Sequence, residues 1–87
     1  MKSVLHLNLR RKYFAQIAAN AKDMETRELK PYWKKRLEGR HYDVIKFRNG
    51  YAKNAPEMLV EFRGLRKRRR HYEILLGRIL KIKRWKH

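Results

Sequence analysis

Residues Val4 to Leu9 alternate, with Leu5, Leu7 and Leu9 on one side and His6 and Asn8 on the other. A period of two predicts a half-buried strand. At Arg10 the period changes. Phe14, Ile17, Ala18 and Ala21 recur at i, i+3, i+4 and i+7 among alanines, which predicts an amphipathic helix. Arg10, Arg11 and Lys12 crowd its N-terminal end, where the helix dipole disfavours each cation by about 0.3–1 kcal/mol. That placement suggests a role outside stability. Lys22 to Lys30 alternates again, with Glu25, Arg27 and Leu29 facing one way and Thr26 and Glu28 the other, as a second strand.

Pro31 suits the first position of a short helix, Trp33, Arg36 and Leu37 mark one side of it, and Gly39 is its stop. Tyr42 to Phe47 reads as a third strand with Ile45 and Phe47 on a common face. Asn49-Gly50 is a turn signal because both residues tolerate positive φ. Met58, Val60 and Phe62 then alternate with Leu59, Glu61 and Arg63 in a fourth strand, which Gly64 and the run Arg66 to Arg70 are expected to interrupt. Tyr72, Ile74 and Leu76 make a fifth strand, and Ile79 to Trp85 a sixth, with Gly77 as a bend or bulge. The order βαβα followed by strands predicts an α+β fold. The sheet should be a small, curved and mixed β-barrel of about five to six strands with two short helices, in one domain over residues 1–87.

Composition adds a partner to this picture. The chain carries 25 Lys and Arg against 8 Asp and Glu, a formal charge of +17. Its 43% hydrophobic content, 11% aromatic, is enough to build a core, unlike that of a disordered basic tail. Self-repulsion at this charge erodes an already small stability margin, and a polyanionic partner accounts for its being tolerated. The absence of cysteine excludes disulfides, thiolate metal sites and a thiol nucleophile. No apolar run is long enough to span a membrane, and the N-terminus is too polar for a signal peptide. The chain is expected to be soluble and cytoplasmic.

The densest charge is Arg63, Arg66, Lys67, Arg68, Arg69 and Arg70, followed by Arg78, Lys81, Lys83, Arg84 and Lys86. Cations this close repel one another unless phosphates sit among them, and each engaged cation releases a condensed counterion. A mobile solvated loop and a patch for anionic membrane are the competing readings, but no amphipathic membrane helix or lipidation motif accompanies the patch. Aromatic rings interleave with the cations at Tyr32-Trp33-Lys34-Lys35-Arg36 and at Arg48-Asn49-Gly50-Tyr51. Rings and guanidinium planes stack on unpaired bases, which favours single-stranded nucleic acid over a duplex. Trp33 has core packing as its alternative role. His6, His41, His71 and His87 show no metal-ligand spacing and no sequence-local triad partners, so neither a metal nor a cofactor is expected. Acidic pairs such as Asp23/Glu25 and Glu25/Glu28 read as charge partners rather than general acids and bases.

The segment Asn20-Ala21-Lys22-Asp23-Met24-Glu25-Thr26-Arg27 resembles the G-x-K-x-x-E-x-R signature of the ASCH (activating signal cointegrator homology) domains. Lys30 to Leu37, Phe47 to Tyr51 and Leu76 to Leu80 look like the flanking segments of small prokaryotic or phage members, so the resemblance covers nearly the whole chain. Asn20 stands where the family usually has Gly, a tolerable exchange because Asn also accepts a left-handed helix end. The resemblance implies a PUA-like β-barrel with a cleft lined by Lys22, Glu25 and Arg27. There the cations would meet phosphate or base acceptors, and Glu25 would meet amino donors or orient the cations. A buried Lys-Glu-Arg network closing the barrel mouth is the structural alternative, and both roles can coexist.

Some members of that family are enzymes, and Lys22 and Glu25 are accordingly the candidates for catalysis. The amidohydrolase branch acting on N4-acylated cytidine has a Thr where this chain has Glu25, and takes a further Glu from an inserted helical segment. Here that connection is the short basic run, which argues against the activity. Metal-free RNA cleavage by Lys22 with a nearby Tyr is the other catalytic option. The expected function is an RNA-binding module that uses the motif cleft and a strongly basic face. Its site would comprise Lys22, Glu25, Arg27, Trp33, Arg48, Asn49 and Tyr51, with Arg63, Arg66, Lys67, Arg68, Arg69 and Arg70. The expected partner is RNA, single-stranded or with unpaired bases. A small enzyme on RNA or modified nucleosides is the alternative, and a scaffold for an acidic protein the third reading.

Overall fold

The computed structural model describes residues 3–85, so the charge on Lys86 and the ring of His87 lie outside the described residues. Its elements follow as β1 (Val4–Asn8), α1 (Arg11–Ala18), β2 (Met24–Glu28), α2 (Pro31–Leu37), β3 (Val44–Arg48), β4 (Glu57–Lys67) and β5 (His71–Lys83). The strands make one sheet in the order β1-β3-β4-β5-β2. β1 lies parallel to β3, and the remaining pairs are antiparallel. The result is a small α+β domain whose sheet curls into a half-barrel, with β1 and β2 as its two edges. Among the described residues, no helix is long and apolar enough to cross a membrane.

Alternation in the strands builds the core. Leu5, Leu7 and Leu9 from the β1 segment meet Ile45 and Phe47 of β3, Met58 and Val60 of β4, and Tyr72 and Ile74 of β5. The helix period adds Phe14 and Ile17 from α1 and Leu37 from α2. Phe14 is fully buried and its ring lies 4.9 Å from that of Trp85, so the first helix and Trp85 close over the same side of the core. α1 ends in a Schellman arrangement. Asn20 sits at φ +59°, its N–H donates to the Ile17 carbonyl, and the Ala21 N–H donates to Gln16 at 2.8 Å. The chain is thereby turned sharply into the Lys22–Arg27 segment. At the end of α2, the Tyr72 hydroxyl donates a short hydrogen bond to the Glu38 carboxylate and ties this helix to β5.

Three local expectations need correction. β4 is not interrupted at Gly64. It runs on through Arg66 and Lys67, and the turn is confined to Arg68, Arg69 and Arg70. Nor is there a separate sixth strand, because His71–Lys83 is one strand passing straight through Gly77. The reason in both cases is bulging. The β4–β5 ladder shifts register between Leu59 and Gly64, with Gly64 at φ +149°, so a long hairpin bends without losing its pairing. Finally, at Asn49-Gly50 only Gly50 takes a positive φ, +101°. Asn49 is held instead by its side-chain amide, which donates to the Leu9 carbonyl.

Two measurements check these packing arguments. At Gly77 an added Cβ would lie 2.9 Å from the Glu61 Cβ and 2.6 Å from the Arg63 Nε. Gly77→Ala should therefore destabilise the domain by about 1–3 kcal/mol in urea unfolding, the usual cost of overpacking. The Glu38 hydrogen bond, followed by burial, pushes the Tyr72 hydroxyl up to about 12. The unfolded hydroxyl ionises near 10, so this contribution to stability is intact below pH 10 and lost between pH 10 and about 12. Tyr72→Phe should remove that alkaline decline from the stability profile.

Candidate nucleic-acid interface

Because β1 and β2 do not close the barrel, a cleft of about 930 Å³ opens between these edges. β1 supplies His6 and Asn8, β2 supplies Glu25 to Glu28, and the start of the α1 segment adds Arg10 and Tyr13. Tyr32 and Trp33 of α2 form another wall, while Lys46 and Arg48 of β3, Tyr51 and Arg70 complete the rim. Among the described lining residues there are six Lys and Arg side chains against two carboxylates. The cleft is thus a concentrated positive field.

At its floor Glu25 is only 4% exposed, because the inward side of a strand that pairs with β5 carries it under the surface. A carboxylate cannot stay ionised there without partners. Lys22 donates to Oε1 at 2.6 Å and Arg27 to Oε2 at 2.5 Å. The Schellman turn brings Lys22 in from below, and strand alternation puts Arg27 on the same side as Glu25. Arg27 also donates to the Asn8 carbonyl at 3.3 Å, so one guanidinium bridges the two unpaired edges. Each cation is backed by a ring: Lys22 Nζ lies 4.6 Å from the centre of Tyr13 and the Arg27 guanidinium 5.2 Å from that of Trp33. The triad is a positioned pair of cations with faces still open to the cleft, since their side chains retain 24% and 15% exposure.

At the mouth, Asn8 and Gly50 hydrogen-bond reciprocally, and Asn49 donates to Leu9. These contacts fasten the β3–β4 loop to β1 and present Tyr51, 87% exposed, at the rim. Arg48 leans on Glu57 at 3.1 Å and donates to the Ala52 carbonyl. Asn49 does not line the cleft; its part is to hold the loop. Trp33 does both things weighed for it, packing against the core with one side and lining the cleft with the other.

The basic run divides. Arg66 and Arg68 both reach the same Glu73 oxygen, at 3.1 and 3.0 Å, and Lys67 pairs with Glu38 at 3.1 Å. Paired carboxylates therefore relieve much of the repulsion in this stretch. The His71 ring and then the Arg68 guanidinium, both bonded to Glu73, hold its carboxyl below the ordinary value. Arg63 stands apart with Glu61, whose carboxyl the Arg78 backbone N–H lowers most. Arg69 and Arg70 sit in the exposed turn, and Arg70 reaches the cleft.

Tyr13 and Lys46 line the cleft without having been expected there, and Arg10, expected only to have some role outside stability, lines it too. Arg10 and Tyr13 are three apart, one step beside the apolar stripe of α1, and Lys46 is the outward residue between Ile45 and Phe47. Those positions were the available signal. Fold and site together define a small α+β half-barrel with a basic, aromatic-walled cleft between its open edges. Comparison with family models, curated proteins and solved structures finds no match to this chain.

Glu25→Ala should leave Lys22 and Arg27 facing each other without their counter-charge. Breaking a fully buried pair costs about 3–5 kcal/mol, and partial solvation of both cations places this one near the lower end or below it. Glu25→Gln, which keeps the shape, should cost less than Glu25→Ala in the same urea titration.

Proposed function

We propose that the chain is an RNA-binding module of the PUA-like, ASCH type, taking a single-stranded segment into the cleft between β1 and β2. The observation that carries this reading is the combination of six cations with four tyrosine and tryptophan rings around one 930 Å³ opening. Phosphates account for the charge excess, because neutralising them releases counterions. Unpaired bases account for the rings, because base–aromatic stacking is worth about 1–3 kcal/mol per base. Lys22 and Arg27, already oriented by Glu25, have donors suited to phosphate oxygens or base carbonyls. The K-x-x-E-x-R residues that resemble the ASCH signature lie together at the floor of this cleft, which agrees with the reading.

A Lys22→Ala/Arg27→Ala variant that still folds should lose affinity for single-stranded RNA beyond the effect of two surface charges. The reference is a control in which Lys34 and Lys35 are neutralised. Equal losses in the two variants would refute the cleft assignment. Arg69→Gln/Arg70→Gln should flatten the slope of log K against log salt by about 1.4, at roughly 0.7 per phosphate. Arg68→Gln should flatten it less, because Arg68 is already engaged by Glu73. The Tyr13 ring beside Lys22 gives the catalytic alternative its one structural foothold. Mass spectrometry of an RNA pool and of N4-acetylcytidine after incubation distinguishes it, since a product lost on Lys22→Ala would replace binding with catalysis.

A further inference from the structure

A second groove, about 270 Å³, lies on the outer face of the sheet and is lined by His6, Lys46, Leu59, Lys81 and Lys83 among others. His6 and Lys46 line both this groove and the cleft, so the two are continuous around β1 and β3. The ladder explains the alignment. His6 pairs with Lys46, Lys46 with Leu59, and Leu59 with Lys81, one outward-facing row across four strands. In the adjacent row Arg48 pairs with Glu57 and Glu57 with Lys83. Lys46 and Lys81 thus stand two strands apart, roughly 10 Å.

These two rows are under-neutralised. Glu57 is the carboxylate within them, and it already serves Lys46 at 3.7 Å, Arg48 at 3.1 Å and Arg84 at 3.6 Å. Among the described residues, no ion-pair partner falls to Lys81 or Lys83, and both are exposed. Leu59 and Val4 give the groove an apolar side against which a flat ring can rest. Cations spaced along an apolar strip, leading out of a cleft of the same sign, match a flexible polyanion better than a folded acidic protein, whose carboxylates would have to meet a curved, narrow row.

We propose that an RNA strand held in the cleft leaves it over His6 and Lys46 and continues across the outer face of the sheet to Lys81 and Lys83. The inference rests on the cleft reading and extends it: the ligand is a through-running single strand rather than an isolated nucleotide or a chain end. Two labelled oligouridylates test this, one of about 4 nucleotides and one of about 12, a short and a long length within the usual site sizes of single-strand binding folds. Lys81→Gln/Lys83→Gln should weaken the longer oligomer several-fold and flatten its salt slope by about 1.4, while leaving the shorter unchanged. Lys22→Ala/Arg27→Ala should weaken both. If the Lys81/Lys83 variant binds the longer oligomer with an unchanged slope, or loses both oligomers equally, the track is refuted and the cleft reading stands. If the Lys22/Arg27 variant binds the shorter oligomer as the wild type does, the cleft reading itself fails.

Discussion

The structure turns on a carboxylate placed where it must be paired. Glu25 is on the inward side of an edge strand and almost fully removed from water, so its charge requires cations within hydrogen-bonding reach. Lys22 and Arg27 meet that need, and in doing so they are fixed in place. Arg27 then extends to the Asn8 carbonyl and joins two edges that no backbone ladder joins. The direction of the cleft's donors follows from this single satisfied charge. A charge pair of this kind contributes position more than net stability, which is what a binding site requires of its first contacts.

The same economy operates elsewhere on the surface. Eight acidic residues serve a chain of 25 Lys and Arg, and several of them are hubs rather than partners in simple pairs. Glu57 collects three cations and Glu73 collects Arg66, Arg68 and His71. Each hub organises neighbouring guanidinium or ammonium groups while leaving the local field positive. Pairs whose cations stay half-exposed are worth little as stabilisers, but they reduce the freedom of long side chains before any ligand arrives.

Much of the fold was legible because alternation and helical period are local. Leu5, Leu7 and Leu9, then Phe14 and Ile17, announced the first strand and helix, and Pro31 and Gly39 bracketed the second. The long hairpin was not legible as one piece, because glycine marks both a break and a bulge, and tertiary curl decides between them at Gly64 and Gly77. At the site, alternation put Glu25 and Arg27 on one face of a strand, while Lys22 joined them only through the resemblance to the ASCH signature. Tyr13 and Lys46 were missed because their approach to the cleft depends on how the edges face each other, which no local pattern encodes. Arg66 and Arg68 looked like ligands in waiting for the opposite reason: Glu73, their partner, lies across the turn, and its place opposite Arg66 becomes visible only in the folded hairpin.

The strand order carries a consequence for where the cleft comes from. All three residues of its ion triad, both aromatic helices and both edges belong to the first 40 residues or so, yet β1 and β2 never pair with each other. β1 is held by β3, with Val4 opposite Val44, and β2 by β5, with Glu25 opposite Ile74. The N-terminal half therefore spells out the site without being able to build it, and the C-terminal meander supplies the template on which both edges are hung. Every pairing that frames the cleft closes a loop of about forty residues or more, and each carries the entropy of that closure. The motif is consequently not portable: transplanted without β3, β4 and β5, the same residues would have no frame to hold them apart at the width of a cleft.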